Sequence, residues 1–146
     1  MENRSAGRLR VRGGIVAAGA LALGLAAGVA LGQEVKVALS GDQEIPPVTT
    51  PASGTGTISV AADGSVTASV TVTGMKPTVA HIHDAASGKN GPIVIPLVKV
   101  SDTVWALPPG AKLTDTQLAS FRAGTLYFNV HSEAWRGGEV RGQIRP

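Results

Sequence analysis

Apolar residues at every second position, in short runs separated by turn formers, commit this chain to strands. Val66, Ala68, Val70 and Val72 alternate with Thr67, Ser69 and Thr71. A helix advances about 100° per residue and would scatter such a set around its axis. A strand gathers it on one face. Ile58 and Val60 alternate with Thr57 and Ser59 in the same way, and Asp63-Gly64 lies between the two runs. Period-two runs on either side of an Asp-Gly predict a β-hairpin.

The same pattern recurs along the chain. Val35, Val37 and Leu39 predict a first strand. The connection that follows carries Glu44-Ile45-Pro46-Pro47, and two prolines exclude a central strand there. Further strands are expected at 79–83, 93–100, 103–107, 126–131 and 139–144, with Pro96 placing the second of these at an edge or a bulge. Loops fall at 88–92 and 132–138. One short helix is expected near 114–123. Thr114 can cap it, Gln117 can complete a capping box, Leu118 and Phe121 share a face, and Gly124 can close the end.

The N-terminus has a different character. Arg4, Arg8, Arg10 and Arg12 precede an uncharged stretch from Gly13 to Gly32, which ends in Ala30-Leu31-Gly32. A basic region, an apolar run and a small-x-small site read as a secretory signal over residues 1–32, with a mature domain over 33–146. Thirteen of the twenty uncharged residues are Ala or Gly, too weakly apolar to favour the alternative of an uncleaved membrane anchor. No membrane span is expected in the mature part, and the destination is secreted or periplasmic. The full chain carries a net charge of +3. From Gln33 onward, five Lys and four Arg balance nine Asp and Glu, so the basic excess belongs to the signal. No basic patch remains for phosphate backbones, and nucleic-acid binding is not expected. The chain has no Cys, which excludes disulfides, thiolate metal sites and thiol catalysis.

Alternation also sorts candidate functional residues. Leu126, Phe128 and Val130 point to the core, and Tyr127, Asn129 and His131 point away. Glu139, Arg141 and Gln143 share the polar face of the last strand. Ile82 faces the core, so His81 and His83 project together from the other side. Side-by-side imidazoles suit two metal ligands, and with His131 they supply three, enough for one copper or zinc ion with an open position. Glu139, Arg141, Asn129 and Tyr127 are candidate supports around such a site, with Asp84 and Glu133 as further carboxylates. The alternative reading is that the histidines sit on a solvated polar face, or in a structural hydrogen-bond network. Trp135, in a loop rich in Gly and Arg, is a candidate anchor for a protein or matrix partner, or a loop aromatic packed on its own hairpin. No Gly-x-Ser-x-Gly elbow and no phosphate-binding loop occurs.

Five segments in order closely resemble the CHRD domain: Glu44-Ile45-Pro46-Pro47-Val48, Ala80-His81-Ile82-His83, Asn90-Gly91-Pro92-Ile93, the run from Leu126 to His131, and the run from Gly138 to Ile144. The resemblance covers about Val37 to Ile144. It implies an all-β extracellular domain and no established catalytic role. A looser similarity is to copper–zinc superoxide dismutases, which also use a strand His-x-His. Three histidines and no cysteine pair leave that family's site incomplete here. The fold expected is an antiparallel β-sandwich of Greek-key type, superoxide-dismutase-like or Ig-like, with one short helix. The function expected is non-catalytic binding or a structural role. The alternatives are a mononuclear copper or zinc protein, which could be redox-active, and an adhesion or matrix module.

Overall fold

A computed structural model describes Gly32 and residues 34–146. The expected export signal therefore lies, Gly32 apart, outside the described residues. No helix among the described residues is long and apolar enough to cross a membrane.

The alternating runs form β1 (Val35–Ser40), β2 (Ser53–Val60), β3 (Val66–Thr73) and β4 (Pro77–Asp84). The segment expected as one strand over 93–100 is split into β5 (Ile93–Pro96) and β6 (Val98–Lys99). Then come β7 (Val104–Ala106), the helix α1 (Asp115–Ala123), β8 (Leu126–Ser132) and β9 (Val140–Gln143). The predicted hairpin pairs Ile58 with Ala68 and Val60 with Val66. The helix is capped as its sequence requires. Thr114 Oγ1 accepts from the Gln117 amide, Gln117 Oε1 accepts from the Thr114 amide, and Gly124 ends the helix in the left-handed region.

The nine strands join in one sheet, in the order β5-β4-β8-β9-β1-β2-β3-β7-β6. The two-layer sandwich anticipated above thus reduces to a single all-β sheet that is nearly barrel-shaped. Its two ends are one stretch of chain. Residues 93–96 pair with β4, residues 98–99 pair with β7, and buried Leu97 lies between them, donating its N–H to the Ala80 carbonyl. A segment that kinks at Pro96-Leu97 can serve both ends, which leaves little open edge.

The inward face collects Leu39, Ile58, Val70, Val72, Ile82, Leu126, Phe128, Val130, Val140 and Ile144, all fully buried. Gly56 lets β2 come close to Phe128, because a Cβ there would sit 2.7 Å from the ring. Removing the Phe128 ring leaves a void that the neighbouring strands cannot refill. Phe128→Ala is expected to cost about 3–5 kcal/mol in chemical denaturation. Thr67→Ala and Thr71→Ala, on the exposed face of β3, should each stay within about 0.5 kcal/mol of the parent. A Phe128→Ala loss below about 1 kcal/mol would contradict the core assignment.

Candidate metal centre

The register of β4 against β8 assembles the site. His81 lies opposite Asn129, His83 opposite Tyr127, and Val79 opposite His131. His131 is therefore the diagonal neighbour of His81, close enough for ring contact. On the other side of β8, Asn129 faces Arg141 and Tyr127 faces Gln143. Three strands thus present a grid of polar side chains on the face opposite the core.

That face is not solvated, which corrects the expectation for His131. Every residue of β8 is buried, on both faces. The segment after β1, the 85–92 loop and the 133–138 loop fold over the polar row, as their hydrogen bonds show. Asn129 Nδ2 donates to Glu44 Oε1. Gly91 N–H donates to the Tyr127 hydroxyl, and the Arg141 guanidinium donates to the Lys89 carbonyl. His131, Asn129, Glu139 and Arg141 are all buried as a result. Gly138, at φ 130°, makes room for this closure, since a Cβ there would fall within 2.8 Å of Asn129 and Glu44 side-chain atoms.

The three imidazoles converge. Each offers one nitrogen, and these atoms lie within 4.8 Å of one another. His81 Nδ1 and His131 Nε2 are 3.2 Å apart. Two rings are held by backbone carbonyls: His83 Nδ1 by Gly91 at 3.0 Å and His131 Nδ1 by Arg136 at 2.9 Å. A carbonyl only accepts, so both Nδ1 atoms carry the proton and both Nε2 atoms present a lone pair in the neutral ring. His131 Nε2 receives the His81 Nδ1–H. His83 Nε2 is buried and has no partner. Burial, then the neighbouring His131 and His83 rings, lower the His81 pKa. Burial is also the main cause of a lowered pKa at His83, with His131 and Arg141 adding to it and the Gly91 bond opposing. Both rings are thus held neutral near pH 7, the form that ligates a metal.

The carboxylates considered as supports are engaged elsewhere. Glu139 accepts from Thr50 Oγ1 at 2.6 Å. Asp84 accepts from Ser120 and Thr125, tying β4 to the end of the helix. Glu133 pairs with Arg136 in the open. Tyr127 does touch the site, stacking on His83 with ring centroids 5.0 Å apart. Arg141 lies over the same Tyr127 ring, 3.5 Å from its centroid. Trp135 is 41% exposed beside the histidine-bearing hairpin, and it is not among the groups in contact with the imidazoles.

Sequence reasoning gave no role to Glu44, Gly91 or the Arg136 carbonyl. For the backbone groups no sequence signal exists, because any residue supplies a carbonyl. Glu44 did have one: an acidic residue inside the first of the five motif segments, in a stretch with no strand of its own.

A family model described as CHRD domain matches residues 35–144, nearly all of the described chain. No curated protein and no solved structure matches it.

Burial raises the Glu44 pKa from 4.5 to about 7, against the opposing effects of the Asn129 hydrogen bond and the Arg141 charge. The fold therefore favours the protonated carboxyl. Its stabilising contribution is complete below the unfolded value and is lost as pH rises through about 7. Denaturation midpoints of the parent and Glu44→Gln, taken from about pH 5 to about pH 8, should diverge, with the parent losing ground at the higher values. A difference that stays constant across that window would show that Glu44 ionises like an exposed glutamate.

Proposed function

The chain belongs to the CHRD domain family, and on that premise we propose that this member is an exported binding module for one copper or zinc ion, held by His81, His83 and His131. The observation that carries the reading is the convergence of three imidazoles, each with one nitrogen within 4.8 Å of the others, in a cluster where His83 Nε2 is buried and without a partner. A tetrahedral ion with bonds of about 2.0–2.1 Å sets its ligand atoms roughly 3.3 Å apart. One pair, His81 Nδ1 and His131 Nε2, already meets that spacing at 3.2 Å. Ligation there replaces the hydrogen bond between them and needs the His81 proton to shift to Nε2, while small ring rotations bring the third nitrogen inward. The donor set fits copper and zinc, since neutral imidazole suits both. Gly91 and Arg136 hold two of the rings in the tautomer that ligation through Nε2 needs. His81 and His83 are partly exposed, which leaves a route from solvent. Copper bound there would supply one-electron chemistry, and zinc a Lewis-acid site. Export rests on the basic and apolar leader of residues 1–32, and it places the module where periplasmic or extracellular metal would reach it.

The competing reading is a self-satisfied polar cluster with no ligand. His83 Nε2 weighs against it, because a buried ring nitrogen without a partner is uncommon in a satisfied polar cluster; Trp105 Nε1, in β7 and outside the cluster, is the other such atom among the described residues.

Calorimetry separates the two. The purified protein is expected to bind Zn(II) or Cu(II) saturably at about one equivalent near pH 7.5. His81→Ala and His83→Ala should each weaken binding at least about tenfold, with the far-ultraviolet circular dichroism unchanged. Affinity should fall less steeply as pH drops through about 6.5 than for three free imidazoles, because the fold lowers the pKa of both His81 and His83. Absence of saturable binding with both metals would leave the cluster as a structural feature.

A further inference from the structure

A second feature of the polar face lies apart from the histidines. A cleft of about 300 Å³ opens between the 42–47 segment and Ser87-Gly88, and Arg141 and Gln143 of β9 reach it from the sheet. Arg141 is 2% exposed, yet among the described residues no carboxylate lies within 4.0 Å of its guanidinium. Its hydrogen bonds run to neutral oxygens: the Lys89 carbonyl at 2.7 Å, Asn90 Oδ1 at 3.2 Å and Gln143 Oε1 at 3.5 Å. These contacts and the Tyr127 ring leave part of the guanidinium fork uncommitted. Buried cations are ordinarily paired, because water no longer compensates the charge. At the edge of the cleft, Arg141 offers its charge and its uncommitted N–H donors to an anion, with Glu44 near enough to feel that charge but outside salt-bridge distance. Ser87 of the cleft wall accepts from Arg145 Nη2 at 3.3 Å.

We propose that this cleft binds a small monocarboxylate, its planar edge against the Arg141 guanidinium. The guanidinium fork matches a carboxylate in plane and spacing. Asp42 and Glu44 also line the cleft, and the Asp42 charge selects against a dianion such as phosphate or sulfate. Burial keeps the Glu44 carboxyl protonated up to about 7, so it opposes a single incoming charge less than an exposed glutamate would. The volume suits a ligand of a few heavy atoms, at the lower end of small-molecule sites. The histidines take no part, so this site stands whether or not the metal reading does.

The test is a nuclear magnetic resonance titration of the purified protein with sodium acetate, and separately with phosphate and sulfate at matched ionic strength. Acetate should give saturable shifts at the amides of Gln43, Ser87 and Gly88. Phosphate and sulfate should bind at least about tenfold more weakly. Arg141→Gln should weaken acetate binding at least about tenfold. Because Arg141 also pins the 85–92 loop, that variant can fail to fold, and two others then decide. Asp42→Asn, and Glu44→Gln at about pH 8, each remove a like charge from the lining and should tighten acetate binding by about threefold. Shifts that never saturate, phosphate binding as tight as acetate, or acetate affinity unchanged in these charge variants would each overturn the proposal.

Discussion

The pairing of β4 with β8 is the constraint from which the rest follows. It sets Ile82 against Phe128 on the core side and His83 against Tyr127 on the other. Side chains alternate along a strand, so a slip of one residue would carry Ile82 and Phe128 out of the core and drive the imidazoles into it. The core residues therefore enforce the geometry of the histidines. No separate device is needed to bring His81 and His83 to one side, and His131 arrives as the diagonal neighbour two positions along from Asn129. Packing energy spent on the apolar face fixes the chemistry of the polar one.

Covering that polar face is the costly part of the structure. Asn129, His131, Glu139, Arg141 and Glu44 are all buried, and each must find partners. Most do so in loops. The Gly91 peptide serves both sides at once, donating its N–H to Tyr127 and accepting from His83. Arg141 ties the 85–92 loop to β9, and Asn129 ties the Glu44 segment to β8. Gly138 permits this crowding where no side chain fits. On this face two groups escape full compensation: the His83 Nε2 lone pair and the Arg141 charge. Both groups contact the Tyr127 ring, and Arg141 borders a cleft. On a polar face otherwise so thoroughly satisfied, the unsatisfied groups are where function is to be sought.

Much of the fold was legible because it is written locally. The Val66–Val72 alternation, the Asp63-Gly64 turn and the Thr114–Gln117 capping box each depend on residues close in sequence, and each is found as read. The choice of faces was legible too, down to Ile82 and Phe128. What alternation cannot say is whether the polar face meets water. His131 was expected to point outward, and it does leave the core, only to be roofed by loops that local pattern cannot place. The same blindness hid the continuity of the sheet. Nothing in residues 93–99 announces that one half pairs with β4 and the other with β7, because both partners lie far away in sequence. The Glu139 carboxylate, expected near an imidazole, is claimed by Thr50 for the same reason.

The central claim is that backbone carbonyls of Gly91 and Arg136 fix the Nδ1–H tautomer at His83 and His131, so that both Nε2 atoms present lone pairs, the His83 one without a partner and the His131 one held only by the neighbouring His81 ring. Imidazole nitrogen shifts in metal-free, nitrogen-15-labelled protein near pH 7.5 measure this directly. The account predicts the Nδ1–H tautomer at both His83 and His131, with the two Nε2 resonances moving on addition of one equivalent of Zn(II) while the Nδ1–H protons remain. Nε2–H tautomers at His83 and His131 in the metal-free protein, with neither Nε2 responding to zinc, would contradict it.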